Sequence, residues 1–187
     1  MKKSELRNEM IQKLKNIDVF EKQQIEERLY YQLFNSSLWK NSQVIGITWS
    51  SDLEWNTKPI IDLGWMEHKE ICIPKCKPIT KEMDFYLINR EEDVLRGFGN
   101  LMEPDDKITK RISKSQIELL IVPGIVFNND GYRIGFGGGF YDRFLKNYHH
   151  KTVSLLSKHQ LLKNVDFNEE HDIPVQYMIT EDKCIKL

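Results

Sequence analysis

No apolar run in this sequence is long enough to cross a bilayer; the longest, Ile117 to Phe127, is interrupted by Glu118 and Pro123. The opening MKKSELRNEM lacks the apolar core of a secretion signal, so a cytoplasmic protein with no membrane partner is expected. Cysteine is scarce. Cys72, Cys76 and Cys184 cannot all pair, and their spacing gives neither C-x-x-C nor a zinc ligand set, so reduced thiols are expected. Positive charge is not in surplus either: 27 Lys and Arg stand against 28 Asp and Glu, which leaves no broad basic field for nucleic acid. His68, His149, His150, His159 and His171 show neither metal-ligand spacing nor a triad partner. There is no internal repeat and no low-complexity tract. What remains is an ordinary globular composition, 40% hydrophobic and 29% charged, in 187 residues. That length suits one domain, residues 1–187, burying roughly 70% of its unfolded surface.

Glycine is also sparse, ten in all, yet four of the ten fall within Gly135–Gly139. The surrounding stretch reads Arg133-Ile134-Gly135-Phe136-Gly137-Gly138-Gly139-Phe140-Tyr141-Asp142-Arg143. Each glycine gives up more backbone entropy on folding than other residues, so such a cluster makes sense where the backbone needs positive φ or a ligand must approach the main chain. Successive bared N–H groups in a turn of this kind form an anion-binding concavity. Two familiar glycine motifs are excluded by the letters. The dinucleotide pattern needs glycine where Phe140 stands, and the Walker A pattern needs Lys and Ser or Thr where Phe140-Tyr141 stands. Phe140, Phe144 and Tyr148 recur at i, i+4 and i+8, so the loop is expected to open a helix whose N–H groups favour an anion. Asp142 in the first turn suits a divalent cation, and Arg133 and Arg143 suit phosphoryl oxygens. The plainer alternative is a tight hairpin turn leading into a helix, with Asp142 an ordinary first-turn acid.

The remaining chain alternates helices and strands. Leu6, Met10, Ile11 and Leu14 predict a helix over Ser4–Lys15, and Ile25, Leu29, Leu33 and Leu38 predict a second over Glu21–Leu38 with Asp18 as its cap. Lys3 and Arg7, four apart, project to the same side of the first helix. Val44–Thr48 reads as a buried strand ending in a polar turn, Trp49 to Glu54, with Thr57 capping the next helix. In open parallel sheets ligands bind at the carboxyl ends of strands, which places Trp49 and Glu54 where a substrate would lie. Further strands are expected at Glu70–Pro74, with Lys75 just past its end, and at Met83–Ile88, Leu119–Val122, Thr152–Leu156 and Tyr177–Thr180. Arg96–Pro104, with Gly97, Gly99 and Pro104, reads as an architectural loop. The alternation implies an α/β fold layered around a mostly parallel sheet.

The stretch G-x-R-I-G-F-G-G-G-F-Y-D-R resembles the signature of the 5-formyltetrahydrofolate cyclo-ligase family, also called 5,10-methenyltetrahydrofolate synthetase. Lys3, Arg7, Glu54, Gly97-Phe98-Gly99, Glu103-Pro104 and His171-Asp172-Ile173-Pro174-Val175 support it in order, so the resemblance spans essentially the whole chain. It implies a three-layer α/β/α sandwich related to the ribose-phosphate isomerase and coenzyme A transferase superfamily. It implies ATP- and Mg²⁺-dependent conversion of 5-formyltetrahydrofolate to 5,10-methenyltetrahydrofolate by an enzyme that works on small molecules, as a monomer in preference to an oligomer. It further implies ATP contacts from Lys3, Ser4, Glu5, Leu6 and Arg7 and from Arg133, Ile134, Gly135, Phe136, Gly137, Gly138, Gly139, Phe140 and Tyr141. Folate contacts fall on Trp49, Glu54, Phe136, Gly137, Gly138, Gly139 and Phe140. Asp142 and Asp172 correspond to metal ligands, and Arg133 with Asp142 to the catalytic centre. The chain departs from the family pattern at Gln176, where Asp is expected, and at Ser157. A sugar-phosphate isomerase or acyl transferase of the same fold, and a ligand-binding regulatory module, are the competing readings.

Overall fold

The computed structural model describes residues 2–163 and 165–187. Five helices, α1 (Lys3–Lys15), α2 (Val19–Asn35), α3 (Ser37–Lys40), α4 (Lys58–Met66) and α5 (Phe140–Leu145), accompany an eight-stranded sheet. That sheet is built from β1 (Val44–Gly46), β2 (Glu70–Lys77), β3 (Glu82–Ile88), β6 (Lys110–Ile112), β7 (Leu119–Ile121), β10 (Lys151–Leu155), β12 (Tyr177–Ile179) and β13 (Cys184–Lys186). Two small sheets use β4 (Val94–Arg96) with β5 (Met102–Pro104), and β8 (Val126–Asn128) with β9 (Arg133–Ile134) and β11 (Leu161–Leu162). The main order is β13-β12-β10-β7-β1-β2-β3-β6. The five strands from β12 to β2 run parallel, and β13, β3 and β6 pair antiparallel at the flanks.

Alternation along the parallel strands assigns the two faces. Ile45, Ile71, Ile73, Leu119, Ile121, Val153, Leu155 and Ile179 point one way, onto Leu29 and Leu33 of α2, Trp39 of α3 and Ile60 and Ile61 of α4. Cys72, Leu120, Val122 and Met178 point the other way, onto Phe144 and Leu145 of α5 and Phe127 of β8. Helices therefore cover both faces. A third cluster, Leu6, Met10, Ile125, Val126 and Ile134, fixes α1 against the β8–β9 hairpin.

Several local expectations need correction. The second predicted helix breaks at Ser36, which is extended; its hydroxyl donates to Leu33 O (2.6 Å) and accepts from Trp39 N (3.3 Å), so Leu38 lies in the separate helix α3. Asp18 does cap α2, accepting from Phe20 N at 2.9 Å and Glu21 N at 3.0 Å. Thr57 occupies the cap position of α4, but its hydroxyl donates to Thr48 O (2.7 Å) instead of capping the helix. Strand β2 continues through Lys75 because β3 folds back on it in a hairpin. The helix after the glycine loop is six residues long and stops before Tyr148. A dipole summed over so few peptides adds little, and the anion argument passes to the loop itself.

The connections place the site. From β1 the chain crosses by α4 on one face to β2; from β7 it crosses by α5 on the opposite face to β10, on the other side of the sheet. The carboxyl ends of the neighbouring strands β1 and β7 therefore open between diverging connections, the crevice in which open α/β sheets bind ligands.

Candidate active site

A cleft of about 580 Å³ occupies that crevice, walled by the ends of β1, β2 and β7, the glycine loop, α1 and the loop around Asp172. Beyond β1, Thr57 latches the turn: Ser50 N donates to its hydroxyl and Thr57 N to Ser50 Oγ, both at 3.0 Å. The latch holds half-buried Trp49 at the cleft, with the Lys58 ammonium 5.9 Å from the indole centre. Glu54 Oε2 accepts from Ser51 N (2.6 Å) and Ser51 Oγ (2.9 Å), and Oε1 has no protein partner among the described residues. Burial raises the Glu54 pKa, and the Ser51 bonds oppose that rise without cancelling it.

The β8–β9 hairpin delivers Arg133, only 7% exposed, beneath the glycine loop. Its guanidinium donates to Ile173 O at 2.6 Å and to Asp142 Oδ1 at 3.1 Å, and Ile173 N donates to the same carboxylate oxygen at 3.2 Å. Burial lowers the Arg133 pKa, and the charge of Asp142 leads the opposing effects, with Asp172 among them. Asp142 pairs with Arg133 directly, and Asp172 lines the same cleft. In the loop, Gly137 (φ 96°) and Gly139 (φ 67°) occupy the left-handed region. Gly135 O accepts from Arg7 Nε at 2.7 Å, and Gly138 O and Gly139 O accept from Arg143 at 3.4 and 3.0 Å. The N–H groups from Gly135 to Gly139 find no protein acceptor among the described residues. Carbonyls are held and amides left open, which is what an anion cradle needs. Arg143 braces the loop through its carbonyls and does not line the cleft, contrary to its expected place on phosphoryl oxygens.

Helix α1 supplies the third wall. Lys3 and Arg7 both line the cleft; the side chains of Ser4, Glu5 and Leu6 do not, and Leu6 is buried in the core. Lys3 Nζ lies 2.5 Å from Asp172 Oδ2 and 3.3 Å from Glu169 Oε2. Burial raises the Asp172 pKa, but the Lys3 bond, the Glu169 N–H (2.8 Å) and the nearby cations outweigh it and hold the carboxyl below its ordinary value. Gln176 lies at the opposite end of the sheet, bonded through both N and Oε1 to Thr152.

Sequence reasoning missed part of the wall. The tip of the β4–β5 hairpin lines the cleft with Phe98, Leu101 and Met102. Glu103, 4% exposed, anchors it by accepting from Cys76 N (2.9 Å) and Phe98 N (3.2 Å). A Cβ on Gly97 would sit 2.0 Å from Glu103 Oε2, so the glycine and the acid are one device. The G-F-G and E-P marks carried that signal. Burial, aided by Glu103, pushes the Cys76 thiol up to about 12, which keeps it protonated. Glu169 and His171 gather with Asp172, one ligand atom of each lying within 4.8 Å of the others; nothing in their polar segment announces this.

Known proteins share the sequence pattern and the fold of this chain. The sequence model of the 5-formyltetrahydrofolate cyclo-ligase family matches residues 1–181. A 5-formyltetrahydrofolate cyclo-ligase of Haemophilus influenzae is 27% identical over 179 residues, covering 93% of this chain and 95% of that protein. The Escherichia coli protein of the same name is 30% identical over 146 residues, covering 76% of this chain and 80% of its own. The solution structure of Aquifex aeolicus 5,10-methenyltetrahydrofolate synthetase superposes with a TM-score of 0.88 at 27% identity, covering all of this chain and 93% of that one. This chain belongs to the 5-formyltetrahydrofolate cyclo-ligase family.

Proposed function

We propose that residues 1–187 act as a single cytoplasmic domain that converts 5-formyltetrahydrofolate to 5,10-methenyltetrahydrofolate with cleavage of ATP to ADP and phosphate. The observation that carries the reading is the family's glycine signature folded as an open-amide cradle over the buried Arg133–Asp142 pair, at the switch point of the sheet. The scaffold is of the three-layer ribose-phosphate isomerase and coenzyme A transferase kind. A formyl oxygen on nitrogen is a poor leaving group; transfer of the γ-phosphoryl onto it turns it into phosphate. N10 then attacks the formyl carbon, the phosphate departs with the original formyl oxygen, and the N10 proton is lost to solvent. No side chain forms a covalent bond, so the protein's work is positioning and charge neutralisation.

The amides of Gly135, Gly137, Gly138 and Gly139 cradle the phosphates, Lys3, Arg7 and Arg133 face the triphosphate, and Trp49 and Glu54 receive the pterin. Asp142 and Asp172 offer the hard oxygen donors that suit Mg²⁺, and both line the cleft. When bound there, the ion would neutralise phosphate charge. Lys3 and Arg133 hold the two carboxylates in place. Away from Phe98, Leu101 and Phe136 at the cleft, exposed large apolar side chains stand singly, as at Tyr31, Met66 and Ile79, or as the small pair Val19 and Phe20, which suits a monomer. The test is spectrophotometric: purified protein given the folate and Mg²⁺ should form the methenyl absorbance only with ATP, one ADP per product. Product without ATP, or none with it, would contradict the reading.

A further inference from the structure

Among the described residues two buried side-chain polar atoms have no hydrogen-bond partner, the hydroxyls of Ser157 and Tyr141. Only Tyr141 lines the cleft. An unpaired buried hydroxyl costs about 1–3 kcal/mol, and a tyrosine that keeps its oxygen where phenylalanine would pack as well has a use for it beyond packing. Its surroundings indicate which ligand. The tyrosine ring packs on the cluster containing Cys72, Met83 and Phe85 at the floor of the cleft. Met83, Cys76 and Glu54 line the cleft with it, whereas α1, which carries Lys3 and Arg7, packs through Leu6 and Met10 in a separate cluster. Glu54 lines the same cleft, and its Oε1 has no protein partner among the described residues. The cleft thus holds one uncommitted hydroxyl donor and one carboxylate acceptor.

The pterin edge has the matching pattern: an exocyclic amine and a ring N–H, both donors, followed by the C4 carbonyl, an acceptor. A carboxylate alone satisfies only the donors. We propose that Tyr141 serves the folate and not the nucleotide, its hydroxyl donating to the C4 carbonyl oxygen of the pterin while Glu54 accepts from the neighbouring N–H groups. This rests on the cyclo-ligase reading above. It assigns Tyr141 a place different from the ATP set in which the family signature puts it. It also explains how the substrate is held at the carbonyl peri to N5, where the formyl group must meet the phosphoryl donor.

The experiment is calorimetric titration of 5-formyltetrahydrofolate without ATP, and of a non-hydrolysable ATP analogue without folate, into wild type and Tyr141→Phe. Tyr141→Phe keeps the ring and removes the orphaned oxygen, so its melting temperature should match or exceed that of wild type. Folate affinity should fall about 5- to 30-fold while nucleotide affinity stays unchanged. A pteridine carrying an amino group in place of the C4 carbonyl should bind both proteins alike. Loss of nucleotide affinity, unchanged folate affinity, or an equal loss for the 4-amino compound would each overturn the assignment. Wild type that binds no folate would sink the cyclo-ligase reading, and this proposal with it.

Discussion

The two ends of the main sheet carry clefts of nearly equal size, about 580 Å³ at the carboxyl ends of the parallel strands and about 550 Å³ at the amino ends. They differ in how their polar groups are used. At the amino ends Glu118 Oε2 accepts from Gln43 N (2.5 Å) and Val44 N (3.3 Å), and Gln176 and Thr152 close a reciprocal pair. Those side chains terminate strands and are satisfied by doing so. At the carboxyl ends the Gly135–Gly139 amides, Glu54 Oε1 and the Tyr141 hydroxyl are left open around a buried cation. Volume does not distinguish a site here; the open glycine amides and the buried, unpaired Tyr141 hydroxyl do.

The largest effect expected at the carboxyl end is that of Asp142→Asn. Turnover should fall about a hundredfold or more through weakened Mg²⁺ binding. Because Asp142 is the ion-pair partner of the buried Arg133, the melting temperature should also drop by a few degrees. Near-normal turnover at modest Mg²⁺ would remove Asp142 from the site. Next comes Gly135→Ala. A Cβ there meets no protein atom within 4 Å, whereas one on Gly138 would lie 2.5 Å from the Phe140 ring. Gly138→Ala therefore mixes strain with ligand exclusion, and Gly135→Ala isolates the second. The melting temperature of Gly135→Ala should be unchanged and its ATP affinity lowered about tenfold or more; unaltered affinity by calorimetry would show that the glycines serve only the turn.

A smaller effect separates the ends by pH. The folded pKa of Glu54 is raised, so the protonated carboxyl stabilises the fold below its ordinary pKa and that contribution is lost as pH rises through the folded pKa. Glu54→Gln can still accept both Ser51 bonds and carries no charge, so it should melt higher than wild type at neutral pH, with the gain vanishing toward pH 4. A constant difference across that range would mean the burial of Glu54 is not what shifts it. The smallest effect belongs to the amino end: Gln176→Ala should cost stability of about 1 kcal/mol and leave both Michaelis constants unchanged. A changed constant for either substrate would break the contrast between the ends.

Much of this arrangement is legible in the sequence, for identifiable reasons. The parallel strands announce themselves as short apolar runs because both faces of the sheet are covered, and the glycine cluster because it is too costly to be incidental. The break at Ser36 shows in the sequence only as the five-residue step from Leu33 to Leu38, where a helical stripe asks for three or four. Two-residue strands such as β9 and β11 carry no periodicity, so the small sheet that aims Arg133 could not be foreseen. Within the site, Arg133 and Asp142 come from the chemistry of the loop. Asp172 comes from family resemblance alone, and its companions Glu169 and His171 emerge only when the chain folds. The open hydroxyl of Tyr141 is a property of packing, which no spacing rule contains.

The central claim is that one cleft has a folate end at Glu54 and a nucleotide end at α1. Steady-state kinetics of Glu54→Gln and Arg7→Ala, varying each substrate with the other saturating, tests it most directly. An amide cannot accept both pterin hydrogen bonds, and removing Arg7 forfeits a charge-assisted contact to phosphate, each worth about 1–3 kcal/mol or roughly 5- to 150-fold. Glu54→Gln should raise the KM for folate and leave that for ATP, and Arg7→Ala should do the reverse. Equal changes in both constants for both variants would contradict the partition.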